Sequence, residues 1–303
     1  MKSTLAFTIG VIAVAAVAGS AALLLSPQEL RLDGRPLADV LQDLNSSSEA
    51  SREAATTLLR KSAVKVVPVL VEMARVDDAA FTKKMKALAE GGQLDQATLV
   101  PPSVRRSQAV NGFRALGAAA ASATPALTEM LRDPKTSVAA ALALACIGGE
   151  AINPLFDTLV DPNPRLAGNA RTALESLNSG TAGAAAMLIP RLKDKRPVVR
   201  AAAARALGRT GQDAARAVPL LIELLDDPDG EVLLGACAGL GALQSIAKTA
   251  VPKLLPFAKQ TKDKMLHDVA GIAVWRIDPA EARKAGLDEA LIKTPTYTGP
   301  AER

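Results

Sequence analysis

One histidine, His267, and two cysteines, Cys146 and Cys237, are all the imidazole and thiol chemistry in this chain of 303 residues. A zinc centre draws on clusters of such ligands at short spacing, and neither C-x-x-C nor H-E-x-x-H occurs, so no metal is expected. The pairs Gly91-Gly92 and Gly148-Gly149 could in principle approach a phosphate. No strand-like run precedes them and no Gly-Lys-Ser/Thr follows, so they read as turns between helices and no cofactor is expected. The remaining chemistry is cationic. Thirty-six basic residues against 31 acidic leave a net charge of +5. The excess is concentrated: Arg191, Lys193, Lys195, Arg196, Arg200, Arg205, Arg209 and Arg216 crowd one stretch, with Asp194 and Asp213 as local acids. Lys83, Lys84, Lys86, Arg105, Arg106 and Arg114 form a second group. Such patches bind phosphate backbones when they line a groove, but the simpler reading is solvated charge on exposed helix faces.

The elements that position these residues repeat. With Val199 as position zero, position eight is Leu207, and Leu59, Leu88, Leu116, Cys146, Leu174, Leu240 and Val274 take that place in turn, 28 to 34 residues apart. Position seven is small in Ala87, Ala115, Ala145, Ala173, Ala206, Gly239 and Ala273, which lets neighbouring backbones approach. Position zero is apolar in Val138, Leu166, Val199, Val232 and Leu266, so positions zero, four or five, and eight form a stripe of helical period. Asp133, Asp161, Asp194 and Asp227 stand five residues before position zero, three of them followed by proline, which marks a turn between two helices. A proline marks the start of the first helix of each pair, at Pro36, Pro68, Pro125, Pro154, Pro219 and Pro252. Aromatic residues make up only 2% of the chain against 49% hydrophobic, so alanine and leucine must do the packing. The expected fold is all-α, an α-solenoid of about eight helical hairpins with almost no sheet.

Segments such as Val218 to Pro228, followed by Glu231-Val232 and a helix rich in alanine and glycine, resemble HEAT repeats, in particular the short HEAT-like repeats of the phycobilisome lyases. The resemblance covers roughly residues 36–277. It implies a right-handed superhelix and a ladder of position-one arginines stacked on the turn aspartates. This chain keeps that arginine at Arg52 and Arg200 and has Phe81, Ala109, Ala139, Ala167, Leu233 and His267 elsewhere. HEAT-fold hydroxylases of the deoxyhypusine type use repeated His-Glu pairs, of which the chain has none. A bilin lyase would need aromatic surface, and Trp275 and Tyr297 are the only rings of their kinds. The two cysteines fall three repeats apart, beyond bridging distance, and are expected as small buried hydrophobes.

The ends differ from the body. Lys2 precedes an uncharged apolar run over residues 5–25, long enough to span a bilayer. Residues 1–26 are therefore expected to be a signal anchor, with cleavage as a secretory signal after Ala16-Val17-Ala18 the alternative. The body would then lie outside the cytoplasm, periplasmic or at the cell surface, where nucleic acid is not a favoured partner. Anionic lipid beside the anchor is the next option for the basic patches. Residues 27–278 are assigned to the solenoid, 279–293 to a polar C-terminal cap and 294–303 to a disordered tail.

The functional expectation is a non-catalytic scaffold for a protein or peptide, with a lyase-like accessory enzyme or a nucleic-acid-binding HEAT-like protein as alternatives. In HEAT stacks the second helices line the concave side, with positions two, three, six and nine or ten outward. That register nominates Ala140, Leu144 and Ile147 in repeat four, Leu234 in repeat seven, and Ile272 and Trp275 in repeat eight, with cover of Trp275 and Ile272 by the C-terminal cap around Leu287 and Leu291 as the alternative. Arg205 and Arg209 of repeat six supply basic relief. The strip suits an extended or helical peptide carrying some acidic residues. Leu144→Glu with Ile147→Glu is then expected to leave the fold intact, and Leu207→Glu to unfold it.

Overall fold

The computed structural model describes residues 30–76, 100–211 and 213–290, which gather into two compact units, Met1–Ala151 and Ile152–Arg303. In the first, β1 (Arg31–Leu32) and β2 (Arg35–Pro36) pair antiparallel around Asp33 and Gly34. Both turn residues have positive φ, the two-residue turn that matches strand twist. This ladder is the only sheet among the described residues. Helices α1 (Leu37–Asp43), α2 (Glu49–Lys61), α3 (Ala63–Arg75), α4 (Pro102–Leu116), α5 (Thr124–Met130) and α6 (Ser137–Ile147) follow. Helix α4 packs between α3 and α6, and α5 lies on α6. Leu37, Leu41, Leu59, Leu70, Phe113 and Leu127 are fully buried.

The second unit holds α7 (Asn153–Thr158), α8 (Pro164–Glu175), α9 (Ala184–Arg191), α10 (Pro197–Thr210), α11 (Ala214–Glu223), α12 (Gly230–Ala242), α13 (Val251–Gln260), α14 (Lys264–Ile277) and α15 (Pro279–Lys284). The second helices α8, α10, α12 and α14 pack side by side in chain order, each backed by the helix before it, and α15 closes against α14. The starts follow from the residues. Asn163, Asp229, Asp263 and Asp278 cap α8, α12, α14 and α15 by accepting from amides two or three residues on. Prolines sit in the first turn of α8, α10 and α15, where a missing amide costs nothing. Pro68 and Pro219 instead lie inside α3 and α11, which begin five residues earlier than the proline rule predicts.

Small residues bring α10 and α12 into backbone contact. A Cβ added at Gly208 would collide with the backbone of Gly239, one at Gly239 with the Ala204 carbonyl, and one at Gly235 would lie 2.6 Å from the Ala201 carbonyl oxygen. The small position-seven residue of the repeat thus has its expected role at Gly239. At the turns one full rung of the expected ladder stands. Arg200 donates from Nε and Nη2 to the two carboxylate oxygens of Asp227, both at 2.9 Å, and from Nη1 to the Asp194 carbonyl at 2.8 Å. The other position-one arginine, Arg52, donates among the described residues to carbonyls, those of Ser46 and Ser47.

The carboxylates of these turns are held ionised. Arg196 donates to Asp194 at 2.9 and 3.0 Å, and that hydrogen bonding holds the Asp194 carboxyl down at about 2 despite its burial. Burial would raise Asp227, but hydrogen bonds from Arg200 and the Asp229 amide keep it below the usual range. A carboxyl depressed in the folded state contributes stability that is complete above its unfolded value, about 3.9, and is lost as pH falls toward the folded value. The urea midpoint should therefore drop as pH falls from about 5 to about 2. Asp194→Asn should lower it near neutral pH and flatten part of that acid limb; an unchanged limb would refute the assignment.

Several expectations fall on residues 1–29, 77–99 and 291–303, which lie outside the described residues. They are the anchor over residues 5–25, Phe81, Leu88, Lys83, Lys84, Lys86, the second helix of repeat two, the first helix of repeat three and the tail 294–303. No helix among the described residues is long and apolar enough to cross a membrane.

Candidate functional site

In the second unit the side-by-side helices leave one line of side chains uncovered. Each second helix is flanked by its neighbours and backed by its own partner, and positions minus one, two or three, six and ten form one line along the side left open. On α10 these include Arg205, 18% exposed at its side chain, and the exposed Arg209. On α12 they are Glu231, Leu234 and Ala238, all half-buried. On α14 they are the exposed Met265 and the half-buried Asp268, Val269 and Ile272. Arg205, Arg209, Leu234 and Ile272 are thus at the surface where the sequence put them.

Four nominated positions are not displayed as expected. Ala140 and Leu144 are 0% exposed, Ile147 1% and Trp275 4%. The first three fail by register. Helix α6 ends at Gly148 and α10 at Gly211, both with positive φ (75° and 59°), although only Gly211 is in the left-handed helical region. Counting back from these glycines pairs Leu144, and not Cys146, with Leu207. Position eight of repeat four is Leu144, and the outward positions fall to Val138, Leu142 and Cys146, which are exposed or half-buried. Trp275 is covered from α15, where the Arg283 guanidinium lies 5.4 Å from the ring centroid. Its Nε1 is buried and has no hydrogen-bond partner among the described residues.

Both cysteines are free. Cys237 is buried as expected, which pushes its thiol up to about 12. Cys146 is only half-buried; burial raises its thiol, and the nearby Arg114 offsets that in part. His267 Nδ1 lies 3.0 Å from Asp268 Oδ1 at the surface. No group of three or more His, Cys, Asp or Glu among the described residues is placed to hold a metal.

One feature of the ridge has no sequence signal. Glu231 of α12 meets Arg171 of α8 at 3.1 Å and Arg205 of α10 at 3.7 Å, so a single carboxylate ties three second helices together. The contact with Arg171 reaches past α10, the helix that lies between α8 and α12. Burial lowers the Arg205 pKa most, with Glu231 opposing and Arg171 adding to that effect.

These features define a helical repeat protein whose second helices carry a mixed apolar and charged ridge. A family model described as HEAT repeats matches residues 124–207, 152–238 and 185–275, together half the chain, and the chain belongs to that family. Among solved structures, an engineered protein is 20% identical over 86% of this chain and 84% of its own, with a TM-score of 0.34. A designed armadillo repeat protein in complex with the peptide (KR)4 is 16% identical over 79% and 98%, TM-score 0.34. The complex of CpcE and CpcF of phycocyanin lyase from Nostoc sp. PCC7120 is 20% identical over 89% and 92%, TM-score 0.31. These are distant likenesses and say nothing of what this chain binds. No curated protein matches the sequence.

Proposed function

We propose that this HEAT-repeat chain is a non-catalytic protein-binding scaffold, and that its contact surface is the ridge on α10, α12 and α14. The observation that carries the reading is the run of Leu234, Ala238, Val269 and Ile272, half-exposed on adjacent helices whose other faces are packed. Aliphatic side chains gathered between charged ones are the pattern of a surface that meets a partner. The apolar run over residues 5–25 supports a tether that holds the body outside the cytoplasm.

Affinity capture from the native membrane tests the reading. Leu234→Glu with Ile272→Glu should keep the far-UV helical signal and lose the partners held by the unaltered chain. A folded double variant that still captures every partner would move the contact surface elsewhere. The same membranes test the tether: the protein should resist a carbonate wash, and a soluble mature chain starting near Gly19 would replace the anchor with a cleaved signal.

A further inference from the structure

Two arginines of the second unit, both more than four fifths covered, show what satisfied and unsatisfied guanidinium groups look like in one molecule. The side chain of Arg200 is 15% exposed and makes a two-pronged contact with its own carboxylate plus a carbonyl contact. Arg205, five residues on and 18% exposed, has one carboxylate contact at 3.7 Å, to a Glu231 that lies nearer Arg171. A guanidinium offers five donors in a planar fork matched to a carboxylate. Glu231 is shared between two such groups and Glu175 acts on Arg205 only from beyond ion-pair distance, so most of the Arg205 fork is left without a close acceptor at a place where water is largely excluded.

We infer that Arg205 is the anchor for an aspartate or glutamate side chain of the protein partner, and that Glu231 is the internal occupant which that carboxylate displaces. The inference rests on the scaffold reading and specifies its partner. Leu234, one turn along α12 from Glu231, stands on the helix next to the anchor's and Ile272 on the helix after that, so the partner segment carries aliphatic residues to one side of its acid. Charge complementarity selects an acidic segment over a basic one, because around this point Arg171, Arg205 and Arg209 outnumber Glu231 and Glu175. Glu231 keeps the arginines from collecting stray anions, at the cost of competing with the true ligand.

The test uses the full-length chain and two labelled peptides, one of alternating leucine and glutamate and one of alternating leucine and lysine, followed by fluorescence anisotropy. The acidic peptide should bind and the basic one should not. Arg205→Gln should weaken binding about tenfold, as expected for loss of a charge-assisted pair. Arg205→Lys should not restore it, since an ammonium lacks the fork. Glu231→Gln should tighten binding severalfold, because it removes the competitor while nearly preserving side-chain volume.

Three results would overturn the inference: Glu231→Gln that binds no better than the unaltered chain, equal binding of both peptides, or no binding of the acidic peptide. Displacement of the bound acidic peptide by inorganic phosphate or a duplex oligonucleotide as readily as by unlabelled peptide would also overturn it, in favour of a phosphate site. Should Arg205→Gln fail to fold, the Glu231→Gln arm decides alone. The scaffold reading is judged separately, by partner capture through Leu234 and Ile272, and survives if only the peptide arms fail.

Discussion

Gly208→Val unfolds the second unit. The added side chain has no room, because even a Cβ at this place would collide with the backbone of Gly239 on α12, and backbone cannot rotate aside as a side chain can. Overpacking a core ordinarily costs about 1 to 3 kcal/mol. Here both walls are helix backbone, so the cost should be at the top of that range or above it, a large share of the roughly 5 to 15 kcal/mol that holds a typical domain folded. Gly239→Val should behave alike. The control is Gly168→Ala on α8, where nothing lies within 4 Å of the new methyl. Removing a mid-helix glycine there should stabilise by about 0.5 to 1 kcal/mol. Urea denaturation of the three variants measures the contrast, and a Gly208→Val protein as stable as the parent would show that α10 and α12 do not meet as described.

Leu144→Glu with Ile147→Glu unfolds the first unit as thoroughly as Leu207→Glu unfolds the second. Leu144 and Leu207 are both 0% exposed, and Ile147 is 1% exposed. A glutamate forced into such a site either carries an unpaired charge into an apolar interior or takes up a proton at a raised pKa, and each route costs several kcal/mol. Circular dichroism and melting should show both variants largely unfolded. A folded double variant would restore the outward placement expected from the repeat pattern.

That reversal shows where the sequence was legible and where it was not. The helical hairpins, the small residues at position seven and the Arg200 rung could be read because each has a residue type peculiar to its task. Helix α6 could not be phased, because Ser137–Ile147 is apolar around its whole circumference and offers no polar side to set against a buried one. Its cap glycine, Gly148, is the better register mark, since a positive φ at a helix end favours glycine through backbone geometry and not through hydrophobicity. The same rule at Gly117 pairs Phe113, fully buried, with Leu207 in place of Leu116. The Glu231 bridge was not legible by any local rule. It joins helices two repeats apart, and the distance between them depends on how closely α10 packs with its neighbours.

The covered ring of Trp275 has a consequence for observing the molecule in solution. It is the single tryptophan of the chain, seated on α14 under Arg283 of the closing helix. Red-edge excitation therefore addresses one hairpin at one end, while circular dichroism averages over every helix. In a fold held together neighbour to neighbour, fraying can begin at an end and travel inward. Light emitted from this one residue times the start of that process, and the lag before ellipticity follows measures how strongly each hairpin is coupled to the next.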